Sequence, residues 1–379
     1  MSSSLSSSAV GAGDLVQPGA LAAMRRLRRR ARAWVIILAA ATLASAILAA
    51  GIGPVPIAPG VVVDVVLTTL SGGETAGPAG AIVWSTRLPR IAMAIVAGAV
   101  LATAGAVFQA LSRNGLADPY LLGINSGAST GAALVALVLG SGSALLFSFG
   151  ALVGAVGAIA LVLALAGTAA ARGPYRLVLA GLAVGYALNA VTSFLIFSSD
   201  SPEAARSVLF WLLGSLAAVQ PLSLAVAAVF AVVGLTAAMV AAPAIDALAS
   251  GDDSARSAGI EPERARIVMM AATSAVVGIV VAAVGGIGFI GLVVPHLARR
   301  LVGARHRLVL PASALLGALL LVAADTIART AYAPQEIPVG VITGVIGGPL
   351  LLILLRSRAG TSSASPRHPR WHRSKGTTS

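Results

Sequence analysis

The chain has no cysteine among its 379 residues, which excludes disulfides, thiol nucleophiles and thiolate metal sites. Lysine is nearly absent as well. Lys375 is the single one, and no G-x-x-x-x-G-K-[ST] phosphate loop exists, so the chain does not hold ATP by that device. Charge of either sign is scarce: Asp, Glu, Lys and Arg make up 10% of residues, against about 25% in a soluble domain. Of the four histidines, His368 and His372 lie near the C-terminus and His296 and His306 stand alone, with no HExxH pattern. No His/Asp/Glu group has the spacing of metal ligands, so neither a metal centre nor a catalytic site is expected. The net charge of +13 raises the question of nucleic acid, but in an apolar chain positive charge belongs to cytoplasmic loops, and no nucleic-acid partner is expected.

What the chain does have is apolar length. Hydrophobic residues make up 58% and the mean hydropathy is +0.94. A spanning helix takes about 20 such residues. The pattern predicts an all-α polytopic membrane protein with about ten transmembrane helices near 34–53, 90–110, 118–139, 145–170, 176–198, 221–242, 265–284, 288–301, 308–329 and 338–355. The eighth is short for a full span. Residues 203–216 are expected to add an interfacial helix. A Ser/Gly/Ala-rich, basic segment, 1–33, is expected as a disordered tail. Its basic run before an apolar stretch also has the form of a signal peptide, but the long polar preface favours an uncleaved first span. Residues 34–356 are expected to form the ten-helix transmembrane domain, and 357–379 a second basic, disordered tail. If the helices alternate from a cytoplasmic N-terminus, only Arg87, Arg90, Arg206 and Arg329 fall outside. The other 22 of the 26 basic residues fall inside, and both termini are cytoplasmic by the positive-inside rule.

Polar residues mark the places where loops do specific work. Gln109, Asn114, Asp118 and Pro119 form a turn between the second and third helices. Glycines spaced by four (Gly123/Gly127/Gly131, Gly150/Gly154, Gly181/Gly185, Gly340/Gly344/Gly348) predict close helix packing. Asp325 and Arg329 are spaced for an i,i+4 pair. Arg87 and Arg90 flank Leu88-Pro89 at one mouth of the second helix, and Arg329 ends the ninth. Each alone fits interfacial snorkelling; together they form a candidate electropositive ring for an acidic partner or anionic ligand. The loop 247–266 reads as a short helix, a break at Gly259 and a new helix near Pro262. Asp252 and Asp253 sit at the start of the short helix, where carboxylates suit the dipole. A membrane protein without a motor of its own needs a docking surface of this kind.

Seven motifs then carry a resemblance: R-L-P-R at 87–90, G-A-x-L-A-x-x-G-A-x-x-Q at 98–109, N-G-L-A-D-P-Y-L-L-G at 114–123, R-L-V-L-A-G at 176–181, G-x-I-G-F-I-G-L-V-V-P-H at 285–296, A-D-T-I-A-R at 324–329 and E-I-P-V-G-V-I-T at 336–343. Over residues 87–355 the chain resembles the FecCD family, the permease subunits of bacterial ATP-binding-cassette importers for ferric siderophores, haem and cobalamin. The resemblance implies a bundle like that of the cobalamin-importer permease, paired with a second permease subunit, either a copy or a paralogue. It implies two cytoplasmic ATPase subunits, which bind the ATP and magnesium, so that this chain carries no cofactor. An extracytoplasmic substrate-binding protein delivers the cargo, and the setting is the lipid of the bacterial cytoplasmic membrane. Arg87, Arg90 and Arg329 match the positions that meet glutamates of the binding protein. Gly251, Asp252, Asp253, Ala255, Arg256, Gly259 and Ile260 match the loop that touches the ATPase and passes its motion to the sixth and seventh helices. In cobalamin-transporting members, small hydroxyl residues close the inner mouth just before the R-L-x-L-A-G motif. Gly173, Pro174 and Tyr175 stand there in this chain, a bulkier candidate gate. Gly115 also stands where the family usually has proline.

The function expected is translocation of an iron–siderophore complex, with cobalamin or haem as the alternative within the family. The rivals from other classes are an ion-coupled secondary transporter, disfavoured by the sparse charge within the spans, and a channel, disfavoured by the docking loop. On this reading the arginines steer docking, and reversing Arg87 and Arg90 together to glutamate impairs transport while leaving folding intact.

Overall fold

Inside a bilayer no water is available to the backbone, so apolar runs satisfy their amides internally as helices. In a computed structural model of the protein, which describes residues 18–73, 77–140, 143–166 and 174–359, helices make up nearly everything and no strand occurs among the described residues. They are α1 (Pro18–Gly51), α2 (Pro59–Leu70), α3 (Pro78–Ala81), α4 (Leu88–Leu111), α5 (Ile124–Ala133), α6 (Ala144–Ala166), α7 (Pro174–Phe197), α8 (Pro202–Leu212), α9 (Pro221–Ser250), α10 (Asp252–Ser257), α11 (Pro262–Val284), α12 (Ile290–Val302), α13 (His306–Ala328) and α14 (Val339–Ala359). Each of the ten expected spans has a counterpart. Among the described residues, seven helices are long and apolar enough to cross a membrane, and Pro59–Leu70, Ile124–Val138 and Val339–Ile353 are shorter apolar helices.

Three differences have local causes. Residues 18–33 were expected in a disordered tail, but α1 begins at Pro18. Proline suits a first helical position, and the Ala/Leu/Arg-rich segment that follows has high helix propensity. Residues 357–359, expected in the C-terminal tail, continue α14, and the rest of the expected tails, 1–17 and 360–379, lies outside the described residues. α3 runs through a π turn, Ile82–Arg87, straight into α4. Pro89 lacks the N–H that would bond the Ser85 carbonyl, and the helix widens there instead of ending. α2 was not expected at all. α8 does form where the interfacial helix was expected, started by Ser201, whose hydroxyl accepts from Ala204 N at 3.3 Å.

Helices pack in lipid through close backbone approach. α4 is the central helix, largely covered by α13, α9, α12 and α11, while α1, α7 and α9 turn most of their surface outward. A Cβ placed on Gly98 would strike the Gly317 carbonyl of α13, and one on Gly105 the Gly291 carbonyl of α12. Gly127 and Gly131 press in the same way on Gly154 and Gly150 of α6. Gly348, expected as a packing position, has nothing within 4 Å.

The polar contacts define two ends. Arg87, at the start of α4, meets the last turn of α1, and Arg329, just past α13, meets the same turn. At the opposite end Arg266 of α11 meets Leu111 at the close of α4, and His306 at the start of α13 meets Asp246 of α9. α12, at 13 residues, covers about 20 Å at 1.5 Å per residue. It is therefore too short to cross a hydrocarbon core of about 30 Å.

Candidate functional site

The Arg87 end is built around the C-terminus of α1, whose last carbonyls have no helical partner. Arg87 Nη1 donates to the Ala50 carbonyl at 2.6 Å and Nη2 to that of Val55. Arg329 Nη2 donates to the Ala49 carbonyl. Cations at a helix C-terminus also meet the favourable end of its dipole. Arg90 joins two carboxylates: Nε donates to Asp325 Oδ1 and Oδ2 at 2.8 and 3.1 Å, and Nη1 to both Glu336 oxygens at 2.9 Å. The expected Asp325–Arg329 pair is present but longer, at 3.7 Å.

The sequence brought the three arginines to one mouth, and they do meet there. They are not an exposed ring. Arg87, Arg90 and Arg329 are 4, 6 and 3% exposed, because each serves a carbonyl or carboxylate that would otherwise be buried without a partner. The charge reversal at Arg87 and Arg90 is therefore expected to lower stability as well as transport, because it sets new carboxylates beside Asp325 and the α1 carbonyls. Glu336, whose side chain is 40% exposed, is the one charged member of this cluster that reaches water. It was missed as a site residue although E-I-P-V-G was read as a motif.

At the other end, Gly251 (φ +129°) breaks α9, six residues form α10, and Gly259 (φ +76°) turns the chain toward Pro262 at the start of α11. This is the helix–break–helix form expected of the loop. Asp252 Oδ1 accepts from Arg266 Nη2 at 2.6 Å and from Arg113 Nη2 at 3.0 Å, while Arg266 Nε donates to the Leu111 carbonyl at 3.0 Å. Ala255 is buried; Asp253, Arg256 and Gly259 face outward, with Arg256 Nη1 3.2 Å from Asp253 Oδ1, and Ile260 is half-buried.

The Arg266 hydrogen bond, with the nearby charges of Arg266, Arg113 and Arg256, holds the Asp252 carboxyl below its ordinary value of 3.8. A lowered folded value means that the pair stabilises the fold above the unfolded pKa and loses that contribution as pH falls through the folded one. The thermal midpoint of the wild type in detergent is therefore expected to exceed that of Asp252→Asn at pH 7. The gap closes as pH drops below 3.8. A gap of constant size down to the acid limit would rule this out.

The turn residues of the second and third motifs fix the start of α12. Asn114 Oδ1 accepts from Leu116 N at 2.9 Å, a side-chain turn of the kind asparagine favours. Asp118 caps the 3₁₀ turn Pro119–Leu122 by accepting from Tyr120 N at 2.8 Å, and the Pro119 ring packs on Gly291. Gln109 Nε2 donates to the Gly291 and Leu292 carbonyls at 3.3 and 3.0 Å, and its oxygen accepts from Arg299 at 2.6 Å. Tyr120, unremarked within D-P-Y, donates its hydroxyl to the Ile287 carbonyl and accepts from Ile287 N, both at 3.1 Å. These contacts pin residues 285–289, where Phe289 holds a left-handed φ of +68°.

Of the candidate gate, Gly173 lies outside the described residues, and Pro174 and Tyr175 open α7. Further along α7 the exposed face carries Tyr186, Asn189 and Ser193. An amide in the middle of a span is costly against lipid and belongs to a protein interface or a watered path.

A bundle of spanning helices around a glycine-keyed central rod, with buried ion pairs at one end and a clamped helical loop at the other, defines a polytopic membrane transport protein. The FecCD transport family matches residues 37–357, and the chain belongs to that family. It is 36% identical to the Fe(3+)-citrate import system permease protein YfmE of Bacillus subtilis, over 88% of this chain and 98% of the relative. It is also 36% identical to the cobalamin import system permease protein BtuC of Halobacterium salinarum, over 88% and 99%, and 39% identical to the hemin transport system permease protein HmuU of Yersinia pestis, over 73% and 84%. Among solved structures, an inward-facing chain described as of the metal-chelate ABC transporter type superposes with a TM-score of 0.75 at 28% identity, covering 85% of this chain and 98% of that one. The protein is thus a multi-pass inner-membrane permease of an ATP-binding-cassette importer, a transporter and not an enzyme. It works in a permease dimer with a partner ATPase.

Proposed function

We propose that the chain translocates an iron–siderophore complex handed over by an extracytoplasmic substrate-binding protein, with ATP and magnesium bound by two ATPase subunits and no cofactor in this chain. The observation that carries the reading is the loop 251–261: a short helix held rigidly at one end of the bundle with Asp253 and Arg256 outward, a built docking surface on a chain that has no nucleotide loop. Arg113, Arg256, Arg264, Arg266, Arg299, Arg300, Arg305 and Arg307 gather at that end, which the positive-inside rule makes cytoplasmic, with both termini on the same side. The binding protein then seats on the Arg87 end. Arg87, Arg90 and Arg329 set the shape of that rim from below, and Glu336 presents charge at its surface. The outward face of α7 with Tyr186, Asn189 and Ser193 faces the second permease subunit and the path, with the segment 173–175 as its inner gate.

Relatives named for Fe(3+)-citrate and hemin support an iron-bearing cargo; the relative named for cobalamin supports a corrin as the second reading. Uptake of radiolabelled ferric siderophore is measured in a deletion strain and its complemented parent, with and without ATP depletion. Uptake that needs both this chain and ATP is the expected result. Unchanged siderophore uptake, with labelled cobalamin or haem lost instead, moves the assignment to that cargo. Transport that survives ATP depletion but collapses with an uncoupler would restore the ion-coupled alternative.

A further inference from the structure

α1 begins well before its apolar stretch does. Its first turns, from Pro18, precede the part of the chain that matches the family, which opens at residue 37. Residues 25–32 hold six arginines, and no acidic residue stands between Asp14 and Asp64 to answer them. Arg26, Arg29, Arg30 and Arg32 are exposed, while Ala31, Leu38 and Thr42 of the same helix are buried. Those three recur at i, i+7 and i+11, which is one helical face. The extension therefore keeps the register of the span and turns its charge away from the bundle.

A second set of arginines lies at the same depth. Thr42 Oγ1 donates to the Leu315 carbonyl of α13 at 3.2 Å, and α1 and α13 run in the same direction, both ending at the Arg87 mouth. Ten residues back along each helix, Arg32 is level with Arg305. Arg305 and Arg307 are exposed, and no acidic residue occurs between Glu263 and Asp325. Asp246 of α9 does reach this end of α13, but the His306 main-chain N–H and ring engage it. Among the described residues, none of the six arginines Arg26, Arg29, Arg30, Arg32, Arg305 and Arg307 has an ion pair. Trp34, half-buried, stands two residues past Arg32, where an amphipathic ring marks the edge of the hydrocarbon. From Arg32 to Arg26 the helix extends about 9 Å, close to the headgroup layer of about 5–8 Å on each side of a bilayer.

We propose that the basic end of α1, with the start of α13, is a docking surface for the headgroups of anionic phospholipids. The phosphate oxygens supply the acceptors that the chain withholds from these arginines, and planar guanidiniums take such oxygens in pairs. Basic residues beside a span attract anionic lipid, each by about fivefold near the surface. An acidic face of the ATPase is the less favoured partner, because α1 packs on α13 and α12 while α10 lies against α9 and α11. Orienting the first span during insertion needs positive charge alone; a headgroup site adds a lasting preference for anionic lipid in the folded protein. The inference requires only that the chain spans a membrane, and it holds whichever cargo is moved.

The test uses the full chain in its complex with the ATPase, held in mixed micelles of equal phosphatidylglycerol and phosphatidylcholine, with bound lipid counted by native mass spectrometry. The wild type is expected to retain phosphatidylglycerol over phosphatidylcholine by about tenfold or more. Arg26→Gln, Arg29→Gln, Arg30→Gln and Arg32→Gln combined are expected to bring that ratio close to parity, and the same four positions changed to lysine to keep most of it. Salt at about 1 M, where screening acts within about 3 Å, is expected to erase the preference in the wild type. Should the glutamine variant fail to insert, Arg305→Gln with Arg307→Gln leaves α1 untouched and is expected to lower the ratio several-fold by itself. Equal retention of the two lipids by the wild type overturns the proposal and leaves the arginines as orientation signals. A preference that survives both glutamine variants overturns it as well. Loss of the ATPase from the variants at an unchanged lipid ratio assigns the surface to the ATPase instead. Inorganic phosphate that displaces phosphatidylglycerol at equal concentration makes it a site for free anions and overturns the membrane reading.

Discussion

Asp325→Ala is expected to remove most of the chain from the folded, monodisperse fraction extracted from membranes. Asp325 is 1% exposed and stands between Arg90 and Arg329. Without it two guanidiniums stay buried beside each other, with Glu336 as their one remaining acidic neighbour in the cluster. Removing one partner of a buried pair costs about 3–5 kcal/mol, against a total stability of about 5–15 kcal/mol for a typical domain. Replacing Arg90→Met together with Asp325→Leu is expected to recover part of the loss, because it removes one buried guanidinium along with the carboxylate, while Arg329 stays buried with the Ala49 carbonyl as its partner. Thermal midpoints in detergent compare the two. A single variant as stable as the wild type would show that water already screens the cluster.

Gly105→Val is expected to be comparably damaging for a different reason. The new Cβ lands on the carbonyl of Gly291, and two helix backbones cannot yield as a side chain can. Overpacking of a tight core costs about 1–3 kcal/mol even where side chains can shift. Separation of α4 from α12 also pulls Gln109 from the Gly291 and Leu292 carbonyls. Gly157→Ala is the matching control, since nothing lies within 4 Å of that position; its midpoint is expected to stay at the wild-type value. Equal midpoints for Gly105→Val and Gly157→Ala would refute the glycine key.

The helices were legible because lipid leaves the backbone one economical solution, and apolar length announces it. The break at Gly259 and the start near Pro262 were legible for the same reason that they formed: one residue tolerates positive φ, and the other suits a first turn. What composition could not show was depth. Arg87 and Arg90 look alike in sequence to any arginine that snorkels, and only the carbonyls of Ala50 and Val55 and the carboxylates of Asp325 and Glu336 reveal that they turn inward. Those partners lie 32 to 246 residues away, beyond the reach of periodicity. α2 escaped because its 12 residues are too few for a span. Tyr120 escaped because its partner is a main-chain segment, which leaves no signature in side-chain patterns.

The closure of α1 by arginines from two distant places bears on how the chain is made. Ribosomes deliver the N-terminal helix first, yet the carbonyl of Ala49 waits for Arg329, 280 residues later, and that of Ala50 for Arg87, 37 residues later. Until the ninth span has been inserted, α1 has an unfinished end and Arg90 has neither Asp325 nor Glu336. A nascent chain stalled or truncated before α13 therefore carries exposed carbonyls and unneutralised guanidiniums at one membrane surface. This is a chemical mark of an incomplete chain, erased only when Arg329 reaches the Ala49 carbonyl.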